Sequence, residues 1–268
     1  SLNWTEEYRS SGVHPSDTNP VGLERAPAAV WLPYKWSRSA GNLVHDGTKG
    51  AFGPFQDQLF VAELTNGRVL RVQLEKVRGE YQGACFRFQD NVGSACRVVF
   101  GPDGTLYASD PDWKNKDGAL WRISDKGTVT LLADDKGTTN GIEVSPDGKT
   151  LYVAESRQHR VLAYDLSADG IANERVIIEF KDHNLDGMRC DVDGNLYITR
   201  HGAGLVLKLS PTGEVLRSIK LPGSMPSNLC FGGPDGKVVY VTEAENGQVL
   251  RFRVDRPGLS WRRWQEAP

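Results

Sequence analysis

The 268-residue sequence has no apolar run near the ~20 residues that a membrane-spanning helix needs, so no membrane insertion is expected. It also lacks an excess of either charge: 32 Lys and Arg stand against 34 Asp and Glu, a formal net charge of −2. That balance excludes the broad basic field by which proteins hold nucleic acid. A small molecule is the expected partner, and no feature fixes an oligomeric state. Cysteine is scarce. Cys85, Cys96, Cys190 and Cys230 form no CxxC pair and no zinc-ribbon spacing, so free thiols buried on strands are expected rather than a disulfide framework. No GxSxG is present, which argues against a serine nucleophile. The chain opens on Ser1 rather than methionine, consistent with a removed leader or a cleaved tag. Its compartment, cytoplasm or periplasm, is left open.

What the sequence has is glycine, 29 residues of it, and a repeat. Five short strand patterns begin at Leu59, Leu106, Leu151, Leu196 and Val239, at intervals of 47, 45, 45 and 43 residues. Four of them follow an Asp-Gly turn, at Pro102–Gly104, Pro146–Gly148, Val192–Gly194 and Pro234–Gly236. Asp-Gly between apolar stretches marks a hairpin because glycine supplies the positive φ that the turn demands. A further strand follows each, and several units close with a fourth, as at 128–133 and 176–180. Four antiparallel strands every ~45 residues is the layout of propeller blades, which are stable only when neighbours pack and a ring closes. A β-sandwich would not require so regular a repeat. The expectation is therefore one all-β domain over residues 1–268, a six-bladed β-propeller. Residues 1–40 would form a degenerate first blade, with a possible strand at Ala28–Tyr34, and 41–268 five clear four-stranded blades. A five-bladed ring with an N-terminal cap is the alternative. Ser260–Trp264 can serve as the outer strand of the last blade.

Equal register in successive blades forms rings around one mouth of the central channel. The position six residues before the turn proline, or its equivalent, holds Cys96, Asn140, Asp186 and Asn228, with Asn42 the nearest counterpart in the first clear unit. Amide oxygens and a carboxylate converging on an axis are hard ligands. They suit one divalent cation, Ca²⁺ first, then Mg²⁺ or Mn²⁺, with Zn²⁺ less preferred. A second ring, at the end of the second strand, holds Glu63, Asp110, Glu155, Arg200 and Glu243. It is expected to form a cation-attracting rim interrupted by Arg200 and His201. Asp110, Glu155 and Arg200 are candidate substrate contacts there. Arg97 and Arg189 lie just past the axial positions, placed to reach a substrate oxygen or to pair with the rim acids. With a metal as Lewis acid, Asp186 or His201 is the candidate base.

The segments Asn140–Glu155, Leu185–Tyr197 and Asn228–Gly236, with the ending Val254–Gly258 and Asp110-Pro111, resemble blades of the gluconolactonase, regucalcin and luciferin-regenerating enzyme family over residues 94–265. The resemblance implies a six-bladed propeller with one axial divalent metal, held here by Asn140 and Asp186. It implies hydrolysis of a small sugar or aliphatic lactone, or a related ester, with Asp186 acting as base or orienting the water. Two departures stand out. The family's third-blade Asn falls on Cys96, and its first-blade Glu-Gly-Pro is absent from residues 1–40, where Glu6, Glu7 and Glu24 are candidates by location. Residues 52–86 resemble sorbosone dehydrogenase-like propellers instead. A non-catalytic binding scaffold and a sugar dehydrogenase-like protein are therefore the alternatives to a hydrolase.

Overall fold

The computed structural model describes residues 28–266, and within them the chain is a β-propeller of five sheets. The first blade holds β1 (Ala40–His45), β2 (Leu59–Glu63), β3 (Arg68–Val77) and β4 (Glu80–Asp90); the second β5 (Arg97–Phe100), β6 (Leu106–Asp110), β7 (Ala119–Ile123) and β8 (Val129–Ala133). The third holds β9 (Thr139–Val144), β10 (Thr150–Glu155), β11 (Arg160–Ser167) and β12 (Gly170–Glu179); the fourth β13 (Asn184–Cys190), β14 (Leu196–His201), β15 (Leu205–Leu209) and β16 (Val215–Lys220). The last described blade has three strands, β17 (Pro226–Gly232), β18 (Val238–Glu243) and β19 (Gln248–Arg253). Every blade is antiparallel, with strands paired in chain order. The four Asp-Gly turns join first to second strands with Gly104, Gly148, Gly194 and Gly236 at φ of 84°, 73°, 86° and 68°, the conformation that only glycine adopts without strain. All four cysteines are free, with Cys96 and Cys190 buried and Cys230 exposed.

The core is a series of apolar wedges between neighbouring blades. Between the first and second lies an aromatic cluster in which Phe52 meets Phe60 and Phe100 with centroids 5.3 and 5.0 Å apart, edge to face. Leu120, Ile142 and Val153 fill the next wedge, Ala154, Leu185 and Met188 the third, and Tyr197, Leu229 and Val241 the fourth. Inner strands such as β5, β6, β9 and β10 bury consecutive residues and hence both faces, and a blade without neighbours would expose two apolar surfaces at ~25 cal/mol per Å².

Two expected elements differ. Ala28–Tyr34 is not a strand: Val30 and Leu32, with Trp36 beyond them, lie as irregular chain against Val61, Leu70 and Val72 of the first blade. Pro33 interrupts the run without an N–H to donate, and its carbonyl accepts Trp36 N–H at 2.8 Å in a turn. The remainder of the proposed degenerate blade, residues 1–27, lies outside the described residues. Ser260–Trp264 is not a strand either. It lies in helix α1 (Leu259–Gln265), entered through Pro257-Gly258, where the backbone leaves the sheet. This helix runs along the face of the Asp-Gly turns: Trp261 abuts Gly236, Trp264 meets the His45 ring at 6.1 Å, and Arg263 donates to Phe100 O at 3.1 Å. It thus ties the last blade to the first two.

The second-strand ends, expected as an open rim, are buried fasteners: Glu63, Asp110, Glu155, Arg200 and Glu243 are 0–8% exposed. Most hold down the segment that enters their own blade. Glu63 accepts Arg38 N–H and Ser39 N–H at 3.0 and 2.9 Å, and Asp110 accepts the N–H of Ser94 ahead of β5 as well as that of Asp112 in the loop after its own strand, the latter at 3.2 Å. Glu155 pairs with Arg160. Arg200 replaces the acid with the opposite polarity, donating to Asp182 O while its guanidinium lies 3.8 Å from the Phe180 ring centroid. Buried polar groups in such positions find protein partners, backbone or side chain, in place of water.

Asn42 is likewise committed. Its amide donates to Val98 O at 3.0 Å and accepts Val98 N–H at 2.8 Å, stitching β1 to β5 across two blades. Replacing it by Asp keeps an oxygen ligand but turns the donor into an acceptor facing a carbonyl. Asn42→Asp and Asn42→Ala are both expected to lower unfolding free energy by about 1–3 kcal/mol, measured by urea denaturation at pH 7; an unchanged Asn42→Asp would contradict the stitch. Glu243 gives a pH signature. Burial raises its carboxyl pKa, but the N–H groups of Asn246, Glu245 and Met225 outweigh this and leave it lowered to about 2. A folded-state pKa below the ordinary 4.5 stabilises the fold above that value and stops doing so as pH falls toward 2. The melting-temperature gap between wild type and Glu243→Gln should therefore be widest at neutral pH and close on acidification.

Candidate functional site

Each inner strand except β5 carries an irregularity near its start, and pairing across it fixes which residues share a ring. Glu63, Glu155, Arg200 and Glu243 pair with Ala40, Thr139, Leu185 and Pro226. The next residues, Gly41, Asn140, Asp186 and Ser227, therefore occupy one level, and Cys96, just before Arg97 opposite Ser109, completes it. Asn140 and Asp186 meet as expected from the repeat: Asn140 Nδ2 donates to Asp186 Oδ1 at 2.9 Å. Asn42 and Asn228 fall one residue later. Asn228 Oδ1 accepts its own neighbour's N–H, Leu229, at 2.9 Å and its side chain abuts Gly187. The offset comes from the Gly232-Gly233 pair, whose extra residue shifts the count back from Pro234.

The level that follows is occupied by Gly141 and Gly187 in the third and fourth blades, where a Cβ would lie 2.5 Å from Asp186 O and 2.2 Å from Asn228 Oδ1. In the second blade the same level holds Arg97, and its side chain lies across the axis. Nε donates to Asn140 Oδ1 at 3.1 Å and Nη2 to Asp186 Oδ1 at 2.6 Å. Nη1 reaches Gly41 O at 2.9 Å, and Nη2 also reaches Ser227 O at 3.3 Å. One guanidinium from the second blade thus bonds to each of the other four described blades. The side chains of Arg97 and Asp186 are 8% and 18% exposed, so water screens the pair poorly.

Burial pushes the Asp186 carboxyl pKa up, while the charge and hydrogen bond of Arg97, then Asn140 and the charge of His201, hold it back. Asp186 Oδ1 carries these bonds; no described residue donates to Oδ2. Cys96 Sγ–H points at Asn140 Oδ1 at 3.5 Å. Burial raises this thiol to about 11 against the opposing charge of Arg97, so it is a neutral donor rather than a thiolate. His201, half-buried, ends β14 opposite Asn184. Arg189, three residues beyond Asp186 on β13, lines the lower channel and pairs with none of the described rim acids.

A Ca²⁺-type cation takes six to eight oxygens. Among the described residues only two side-chain oxygen groups converge, Asn140 and Asp186, and both accept from Arg97. No group of three or more His, Cys, Asp or Glu is placed to hold a metal there. Glu6, Glu7 and Glu24 lie outside the described residues. The described donor set does not fit a divalent cation: Arg97 already supplies the positive charge between the two ligand-type groups. Sequence position alone left Arg97 between two roles; its alignment with Gly141 and Gly187 is the signal that would have placed it on the axis.

The model of the SMP-30/gluconolactonase/LRE-like region matches residues 35–245. Regucalcin from Bos taurus is 34% identical over 149 residues, 54% of this chain and 50% of that protein. The 6-deoxy-6-sulfogluconolactonase of Pseudomonas putida is 30% identical over 152 residues, covering 54% of this chain and 52% of its own. The chain thus matches about half the length of these curated relatives. Among solved structures, a calcium-binding regucalcin from Agrobacterium tumefaciens superposes with a TM-score of 0.61 at 18% identity, over 82% of this chain and 91% of that one. A gluconolactonase from Xanthomonas campestris gives 0.59 at 20% identity, over 75% of this chain and 69% of its own. Both support the propeller fold, and the family match runs from ahead of β1 to the end of β18. The chain belongs to the SMP-30/gluconolactonase/LRE-like family.

Proposed function

We propose that the chain is a lactonase-type hydrolase that opens a small sugar or aliphatic lactone, or a related ester, at the axial mouth, with Asp186 as base and Arg97 as a fixed cation. The observation that supports it is the state of Asp186: a carboxylate on the axis, its Oδ1 held by Arg97 and Asn140, its Oδ2 left for a water. A base needs a pKa moved toward the working pH, and burial moves this one in that direction. As water adds to the lactone carbonyl, Asp186 takes its proton and the charge on the carbonyl oxygen develops toward the Arg97 guanidinium. Collapse breaks the ring C–O bond, and the leaving alkoxide regains the proton from Asp186, giving the hydroxy acid. His201, whose charge acts on Asp186, is the residue proposed to relay that proton. The 6-deoxy-6-sulfogluconolactonase and gluconolactonase relatives support the substrate class. The calcium named for one of them is not carried into this mechanism, because Arg97 stands between the groups that would bind it.

A second reading, a binding platform without turnover, is favoured by the number of bonds Arg97 makes, which leaves it few donors for a substrate. A pH-indicator screen of sugar and aliphatic lactones separates the two. Turnover is expected, and it should survive EDTA. Asp186→Asn should lower kcat/KM by about 10²–10⁴-fold. Because Arg97 holds the Asp186 pKa down, Arg97→Met should move the acid limb of kcat/KM to higher pH. Hydrolysis lost to EDTA and restored by Ca²⁺ would overturn the role given to Arg97; no turnover of any lactone would favour the platform.

A further inference from the structure

Below the axial network the channel widens into a cavity of about 430 Å³, on the side of the Asp-Gly turns. Its volume lies within the ~300–1,000 Å³ typical of small-molecule sites. Three residues beyond Asn140 and Asp186 along their strands, β9 and β13 contribute Glu143 and Arg189 to its wall, and α1 contributes Arg263 and two tryptophans, Trp261 and Trp264. Phe100 and Phe231 are among the apolar residues that line it. Arg189 is the unusual member. It is only 8% exposed, its one hydrogen bond among the described residues runs from Nη1 to Met188 O at 2.6 Å, and no described carboxylate lies within 4.0 Å of it. Guanidinium groups this buried are ordinarily paired.

Glu143, which comes nearest to compensating it, is turned toward the backbone: Oε1 accepts Val144 N–H at 3.0 Å and Oε2 accepts Cys190 N–H at 3.3 Å. Arg263 spends Nη1 on Phe100 O and forms no described ion pair. Two guanidinium groups against one carboxylate leave one positive charge within the cavity. At its edge Glu266 pairs with Arg262 at 3.6 Å, Lys49 adds a further positive charge, and His45 lies 3.4 Å from Asp57.

We infer that this lower cavity is a second binding site, distinct from the axial mouth, for a small monocarboxylate with an apolar or aromatic body. The carboxylate would take the free donors of Arg189, which suit it bidentately, and the body would lie between Phe231 and the α1 tryptophans. The inference is independent of the hydrolase reading, since none of the groups proposed for turnover lines the cavity. Calorimetric titration with 4-phenylbutyrate, and with 4-phenylbutanol as its uncharged counterpart, tests it on the full chain. The acid should bind saturably, at least about tenfold more tightly than the alcohol. Arg189→Met should weaken the acid about tenfold or more while leaving the alcohol unchanged, and Arg189→Lys should recover part of the loss. Equal affinity for acid and alcohol, unchanged affinity in Arg189→Met, or no saturable binding would each overturn the site. Cys230→Trp, which fills the cavity from an exposed wall position, is the check if Arg189→Met does not fold. It should abolish binding at an unchanged melting temperature, and binding that persists would refute the proposal.

Discussion

The bond set of Arg97 is the constraint from which the character of this propeller follows. A ring of blades is held laterally by apolar wedges, but wedges are non-directional and do not fix what meets on the axis. Here a single guanidinium spans the opening and bonds to Gly41, Asn140, Asp186 and Ser227, one residue from each of the other described blades. Removing it would leave Asp186 as an uncompensated and largely buried carboxylate, a loss of about 3–5 kcal/mol for a pair of this kind. The same contact opposes the rise in the Asp186 pKa that burial causes and neutralises the two groups that would otherwise invite a cation. Stability and electrostatics thus meet in one side chain.

A dissociable ion and a tethered guanidinium are different solutions to the same electrostatic problem. Calcium needs many oxygens at short range and adapts its coordination number, so losing ligands weakens it sharply. Arginine carries its charge on the chain and requires only planar acceptors. Cys96, at the level of Asn140 and Asp186, is not a hard donor, and burial keeps its thiol neutral. With Cys96 and Arg97 adjacent, one level lacks an oxygen donor and the level beside it supplies a charge.

Most of the architecture was readable because backbone geometry repeats. The Asp-Gly turns demand positive φ at Gly104, Gly148, Gly194 and Gly236, and they placed β5–β6, β9–β10, β13–β14 and β17–β18 correctly from sequence. The convergence of Asn140 and Asp186 followed from the same count. The count failed where the repeat changes length, by one residue at Gly232-Gly233 and by more in the first blade, so that Asn228 and Asn42 were assigned a level they do not occupy. The second-strand acids failed for another reason. A ring of like charges looks like an exposed rim in sequence, whereas Glu63 and Glu243 are each consumed by backbone N–H groups of their own blade, a role that only three-dimensional pairing discloses. Ser-Trp-Arg-Arg-Trp reads as an outer strand in sequence; Pro257-Gly258 breaks the sheet ahead of it, and the segment is helical.

The lower channel shows the same economy of pairing carried less far. Arg97 and Asp186 satisfy one another at 2.6 Å, but three residues along the strands Glu143 and Arg189 do not close to a contact. Burial pushes the Glu143 carboxyl up and the Arg189 guanidinium down, and each partly offsets the other's shift through its charge. Arg97 adds to the depression of Arg189, so the two arginine levels repel along the axis. An arrangement that holds one level fully neutralised and the next short of a negative charge is one in which an anion gains most by entering below rather than above. The vertical order of charges, and not the fold that displays them, separates the two ends of this channel into different chemistries.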